Sequence, residues 1–417
     1  MQRYVLAVLL VGGAWLTGAY STARAAPCLM VTLTGTQSGP AIFDGIAGAG
    51  TLVRYGDDNN ECGALKLQFD AGRGTILRLS QVGVVPGQLN AMFFTHMHSD
   101  HTEGFAEIAQ LRWNFNSAGP KLDVVCSEDA ISTLGFTLSC KKLVMHIGDL
   151  FIQSGEIAQR ISEDKQRLPG GPADILNIVT FQPTNEQQIV WTSGEVRVSA
   201  IRSTHIAGHA SYRVDTPVGS VVIGGDASND SLEPSRLTST SDQVEKLAKG
   251  ADVIVHSTMH PAMAPDKDSG MPPPVYYRQA ATADLGAMAQ RAGARYLMLT
   301  HMAPPLGAQR HGPYKVPGGP LADADYRKVV EASGFTGITI VGTDLATIRL
   351  PANRRNKSAF PERNYQWRRT QRTVDPPPAI RDRCRGHPLD RSRGEGFVHR
   401  AKSESAMIGN GSSARTA

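Results

Sequence analysis

The sequence predicts a single α/β domain, and three observations carry that reading. Short apolar runs alternate with helix-like stretches between residues 29 and 351, the alternation expected of a layered α/β core. The span, about 320 residues, is ample for one large core. No internal repeat divides it. The strand-like runs are 29–33, 65–69, 92–95, 122–126, 178–181, 196–201, 221–224, 253–256, 297–300 and 338–341, of which 196–201 alternates like a half-buried strand. Helical candidates lie between them at 74–82, 103–113, 241–248, 281–292 and 322–332.

The segment Thr95-His96-Met97-His98-Ser99-Asp100-His101 follows the apolar run 91–94 and packs three imidazoles and a carboxylate into the end of a predicted strand. Neutral imidazole and carboxylate are donors that zinc and related divalent ions prefer. His96 and His98, two apart, face the same way and can hold one ion, while Asp100 and His101 reach a second. The alternative is a solvated histidine-rich turn that binds nothing. Four donors cannot complete two sites, so more His or Asp is expected at later strand ends. His205 follows the alternating run 196–203, Asp226 follows the run 220–225, and His301 follows 296–300. Singly, each has a plainer reading; Asp226 could cap a helix, for example. Together they bring the donors to seven, three and three with one shared. His209, four residues past His205, competes for its role. His146 and His311 have no supporting pattern and read as surface residues.

With these residues in this order, the chain resembles the metallo-β-lactamase superfamily over about residues 29 to 350. The resemblance implies a four-layer αββα sandwich with a dinuclear metal site at one edge. It also implies that His96, His98 and His205 bind the first ion, that Asp100, His101 and His301 bind the second, and that Asp226 bridges them. Smaller features, among them Phe69-Asp70-Ala71-Gly72, the spacing of His205 to Tyr212, Gly224-Gly225-Asp226 and Leu299-Thr300-His301, resemble the ribonuclease Z, phosphodiesterase and arylsulfatase-like branch. True β-lactamases lack a bridging aspartate in the place of Asp226. The run from Thr95 to Glu107 is also similar to a bacterial subgroup labelled guanitoxin-biosynthesis metallo-hydrolases.

Departures from ribonuclease Z narrow the expectation. That family's tRNA-gripping arm falls between the metal His and the bridging Asp, where this chain has only twenty intervening residues, 206–225. Its proton-shuttling Glu appears here as Ser257, and a helix-start His as Gln279. A leaving group would then need another proton donor: His260, His209 or metal-bound water.

The mechanism implied is hydrolysis by a hydroxide that bridges two divalent ions, since paired ions lower the pKa of water toward neutrality. Asp100 would orient it and His256, at the end of run 252–255, would line the cleft; these two are the catalytic assignments. A buried His256 satisfied by backbone is the alternative. Asp70 is expected beneath the metals, accepting a hydrogen bond from a ligand His, with a helix N-cap as its other reading. Zn2+ is the first choice of ion, with Mn2+ or Fe open.

Residues 1–25 carry a basic start, an apolar stretch broken by Gly12-Gly13 and the small residues Ala23 and Ala25, the pattern of a signal peptide. An uncleaved membrane anchor is the alternative. A periplasmic or secreted protein follows, with no membrane span after cleavage. Five cysteines suit an oxidising compartment, with Cys28 and Cys62, and Cys126 and Cys140, as candidate pairs and Cys384 left over. Two insertions, 148–172 and 259–277, read as pocket-shaping loops; the second, rich in Met, Pro and Tyr, reads either as a lid touching an apolar part of the substrate or as an oligomer contact or plain surface loop. Residues 352–417 carry a net charge of +9 against −4 for the rest, and read as a basic, disordered tail. The function expected is therefore an exported dinuclear hydrolase of a small phosphodiester, sulfate ester or related ester. A ribonuclease Z-like nuclease and a non-catalytic binding member of the fold are the alternatives. The partner expected is a small ester, with nucleic acid disfavoured and a homo-oligomer open.

Overall fold

A computed structural model describes residues 25–231 and 237–351. The expected signal segment lies outside this range except for Ala25, and the expected tail, 352–417, lies outside it entirely. Two seven-stranded sheets form the centre. The first runs, edge to edge, Thr347–Pro351, Pro27–Gly35, Gly50–Asp57, Leu65–Phe69, Ala91–Phe93, Leu122–Ser127 and Leu176–Phe181. The second runs Ile338–Val341, Tyr296–Ala303, Val253–Met259, Ser220–Ile223, Ala210–Asp215, Val196–Arg202 and Gln188–Ser193.

Period-2 side-chain alternation builds the layers. Leu29, Val31 and Leu33 of one sheet, with Val196, Val198 and Ala200 of the other, point into the apolar layer between the sheets. Phe69 and Phe93 stack there at 4.6 Å. Tyr212 packs on both rings, and its hydroxyl donates to the Phe94 carbonyl across the sandwich at 2.8 Å. The residues between them face outward: Met92, Phe94 and Val124 under helix Phe105–Asn116, and Val222, Ile254 and Leu297 under helices Asp242–Ala248, Thr282–Ala292 and Asp323–Ala332. The result is the four-layer αββα sandwich. Both candidate disulfides close, Cys28–Cys62 and Cys126–Cys140, with Cα separations of 5.3 and 6.4 Å. Among the described residues no helix is long and apolar enough to cross a membrane.

All ten expected strands and five expected helices are present. Four further strands of the two large sheets, Gly50–Asp57, Gln188–Ser193, Ala210–Asp215 and Thr347–Pro351, were not expected. Each begins or ends in Gly, polar or Pro residues that dilute its apolar pattern, and each gains its pairing from a neighbour already in place.

Candidate metal centre

The site grows from the loop after strand Ala91–Phe93. The chain bends at Thr95, His98 is extended, and Ser99–Thr102 then makes one helical turn that buries Asp100 and His101. The other sheet supplies the rest. His205 follows strand Val196–Arg202, Asp226 follows Ser220–Ile223, and His301 lies within Tyr296–Ala303 at a left-handed φ of 44°. Such backbone costs roughly 1–3 kcal/mol and persists where surrounding structure enforces it.

Three overlapping groups of donors form, each with its ligand atoms within 4.8 Å of one another: His96, His98 and His205; His96, His101 and Asp226; Asp100, His101 and His301. His98 Nδ1 lies 2.9 Å from His96 Nε2 and 3.2 Å from His205 Nε2. His301 Nε2 lies 3.0 Å from Asp100 Oδ2. Asp226 sits between the groups, with Oδ2 3.7 Å from His205 Nε2 and 3.5 Å from His101 Nε2, and Oδ1 3.3 Å from His301 Nδ1. All seven expected ligands are brought together.

Hydrogen bonds behind the rings decide which nitrogen each presents. Asp70 accepts from Thr95 N and Thr95 Oγ1 and from His101 Nδ1, all at 2.8 Å, so His101 turns a bare Nε2 inward. The Thr95 hydroxyl, having donated to Asp70, accepts from His96 Nδ1 at 3.0 Å. His205 Nδ1 donates to the Arg278 carbonyl at 3.1 Å. Each bond fixes a tautomer whose other nitrogen can take a cation, the usual arrangement behind a ligand histidine. Buried His101 Nε2 and Asp226 Oδ1 have no hydrogen-bond partner. Unsatisfied donors of this kind, converging from two sheets, fit divalent ions.

Charge supports the fit. Burial holds His96 well below its ordinary pKa, lowers His98, and brings His205 to about 4, so all three are neutral at pH 7. Burial opposes ionisation of Asp226 and Asp100, yet facing histidines outweigh it and hold both carboxyls below their usual range. His101 goes the other way: burial is overcome by Asp226 and then Asp70, and its pKa is raised well above normal. Zn2+ titrated into chelated protein should release protons, and affinity should rise with pH, because ligand nitrogens must be deprotonated to bind. Calorimetry in buffers of different ionisation enthalpy reads this directly; uptake of a proton would contradict it.

No family model matches the chain. It is 26% identical over 330 residues to the ribonuclease Z of Mycobacterium bovis, covering 78% of this chain and 100% of that protein. The ribonuclease Z of Mycobacterium tuberculosis is 25% identical over 328 residues, with 78% and 100% covered. The crystal structure of YhfI from Bacillus subtilis, a metallo-β-lactamase fold protein, superposes with a TM-score of 0.50 at 16% identity, over 78% of this chain and 99% of that one. The chain has the fold of the metallo-β-lactamase proteins. It is a hydrolase of that fold.

Several residues of this metallo-β-lactamase fold hydrolase differ from expectation. His256 does not line the cleft. It is fully buried, its Nδ1 donates to the Ser257 carbonyl at 2.8 Å, and its ring lies under Gly224, where an added Cβ would come within 2.1 Å of it. The reason is strand phase: His256 shares the helix-facing side with Ile254, while Ser257 turns toward the cavity under Asp226 and His301. Among the remaining proton-donor candidates, His209 has both nitrogens engaged. Its Nε2 accepts from Asp226 N at 3.2 Å and its Nδ1 pairs with Ser203 Oγ at 2.8 Å, so it supports the Asp226 turn. His260 caps a turn through Nδ1 and stacks edge-on against Tyr326. Asp70 is not a helix cap; Gly74 holds that position.

The second insertion is not a methionine-lined lid. Met259, Met263 and Met271 are buried against Ala303, Val316 and Tyr276. The two residues just after it do reach the site, through the Arg278 carbonyl and through Gln279, whose Nε2 lies 3.3 Å from Asp226 Oδ2. His146 is exposed beside Asp149, whereas His311 is half-buried. Sequence reasoning gave no role to Thr95 or the Arg278 carbonyl. Thr95 could have been suspected as the hydroxyl just before the first ligand; a backbone carbonyl leaves no sequence signal.

Proposed function

We propose that this chain is an exported hydrolase that holds two divalent ions, Zn2+ before Mn2+ or Fe, and cleaves a small phosphodiester, sulfate ester or related ester. The observation that carries it is the convergence of seven donors, five of them buried, into three overlapping groups, with Asp226 facing His205, His101 and His301. His96, His98 and His205 would hold one ion, Asp100, His101 and His301 the other, and Asp226 both. Ions so bound supply a nucleophile from water at neutral pH and polarise the ester oxygen. The protein's own groups do the rest. Asp70 and Thr95 hold the rings in register, and Asp100, kept ionised by His301, can orient an attacking water and accept its proton. Gln279 can donate its amide N–H to a carboxylate or substrate oxygen.

Export is supported by the basic-then-apolar start of the sequence and by two disulfides, which persist in oxidising compartments. The mycobacterial relatives favour a second reading, a ribonuclease Z-like nuclease. Against it stands the short connection between His205 and Asp226. A panel of chromogenic phosphodiester, phosphomonoester, aryl sulfate, lactone and β-lactam substrates tests the proposal, with His98→Ala as control. Activity on a small ester, lost in the control, is expected. Activity that survives the substitution on every ester would refute the assignment, and salt-dependent RNA cleavage lost on deleting residues 352–417 would favour the nuclease.

A further inference from the structure

A hairpin leaves the first sheet beside the candidate metal centre. Strands Ala91–Phe93 and Leu122–Ser127 are parallel neighbours, so the chain after Ser127 emerges at the same edge as the loop that carries His96 and His98. There it forms two short antiparallel strands, Ala130–Ile131 and Thr137–Leu138, joined by a turn in which Gly135, at φ of 83°, donates its N–H to the Ser132 carbonyl at 2.9 Å. A lone two-stranded hairpin is marginal in water, and this one is pinned at its base. The Cys126–Cys140 disulfide ties its two ends together, and Ser139 Oγ donates to Asp129. The loop from His205 to His209 passes against the base: a Cβ added at Gly208 would lie 3.0 Å from Ser127 Oγ and 3.1 Å from Ala130 Cβ.

Its composition is unlike that of a solvated edge. None of residues 130–138 is charged, whereas exposed edge strands ordinarily carry charge. Ile131, Leu134 and Phe136 are 72%, 79% and 65% exposed. Single exposed apolar side chains are ordinary, but three within six residues make a patch of the kind that marks an interaction site. Side-chain alternation spreads them round the hairpin. The pairs Ala130–Leu138 and Ile131–Thr137 face opposite ways, so Phe136 shares the face of Leu138, Ile131 takes the other, and Leu134 lies in the turn at the tip. A protein partner or a single substrate chain would cover one face. A lipid phase covers both faces and the tip at once.

We propose that hairpin 130–138 inserts into a lipid surface and so presents the metal edge to esters held in lipid headgroups. The insertion stands on the hairpin alone; the choice of substrate rests on the ester hydrolysis proposed above. Around the base, Glu128 and Asp129 offset Lys141 and Lys142, all four exposed. The attraction is therefore apolar insertion and not charge, and zwitterionic lipid suffices.

The test uses the full-length protein, first stripped with chelator, and phosphatidylcholine vesicles at high salt, which screens the basic residues 352–417. The protein should sediment with the vesicles, and the double variant Leu134→Ser, Phe136→Ser should bind them about tenfold or more weakly, as expected when two large apolar side chains lose their burial. Phe136→Trp reads insertion directly: lipids brominated on the acyl chain should quench its emission beyond any quenching of the parent protein. Absence of that added quenching would overturn the proposal, whatever else binds the vesicles. With Zn2+ restored, hydrolysis of hexadecyl p-nitrophenyl phosphate should rise steeply above its critical micelle concentration in the parent and not in the double variant, while both should cleave methyl p-nitrophenyl phosphate alike. An equal rise in both proteins would overturn the presenting role. Added quenching with neither ester cleaved would keep the insertion and refute the hydrolase; cleavage of the methyl ester without added quenching would refute the insertion alone.

Discussion

Asp226→Ala should lower ester hydrolysis by about 10³-fold or more, because several kcal/mol of metal-derived stabilisation is lost and each 1.4 kcal/mol is tenfold. The residue contacts both donor groups through its two oxygens, so its loss opens both. Metal content should fall with activity. The fold should survive: the turn is held by the Gly224 N bond to the Val255 carbonyl and by the Ser228 N bond to the Thr204 carbonyl, and neither uses the carboxylate. Elemental analysis and thermal melting on the same preparation check both halves. Wild-type activity with Asp226 absent would place the chemistry elsewhere.

Asp70→Asn should weaken metal binding by about 10- to 100-fold, the usual cost of removing a carboxylate behind a ligand histidine. One oxygen of Asp70 accepts from both Thr95 Oγ1 and His101 Nδ1, so an amide group can serve at most part of this set. If the amide nitrogen faces the pair it donates where two donors already point, and His101 is driven toward the wrong tautomer. Asn suits the backbone, since residue 70 has φ of 54°, a left-handed conformation that Asn tolerates. A loss of affinity can thus be assigned to hydrogen bonding and not to main-chain strain. Competition with a chromogenic chelator measures it. An unchanged zinc affinity would show that the tautomer is set by something other than Asp70.

The convergence of the seven candidate donors was legible because each is a His or Asp at the end of an apolar strand, where the chemistry of the residue type and its place in the fold coincide. Asp70 was legible for the same reason. His256 was misread because the strand end alone does not give the phase: a shift of one position exchanges the cleft face for the helix face, and the side chain that turns toward the metals is Ser257. The methionines of 259–277 were misread because composition says a segment is apolar without saying what covers it, and Ala303 and Val316, distant in sequence, do so. The edge strands Gln188–Ser193 and Thr347–Pro351 were missed for a related reason. An edge strand takes its conformation from one neighbour, so its own residues need not alternate cleanly.

The claim on which the rest depends is that two cations are held by one chain. Full-length protein purified without chelators and dialysed against metal-free buffer should carry two divalent ions per chain by elemental analysis, falling to one or none in His98→Ala and Asp226→Ala. Fewer than one ion per chain in the parent protein, with zinc added and then dialysed away, would contradict the account.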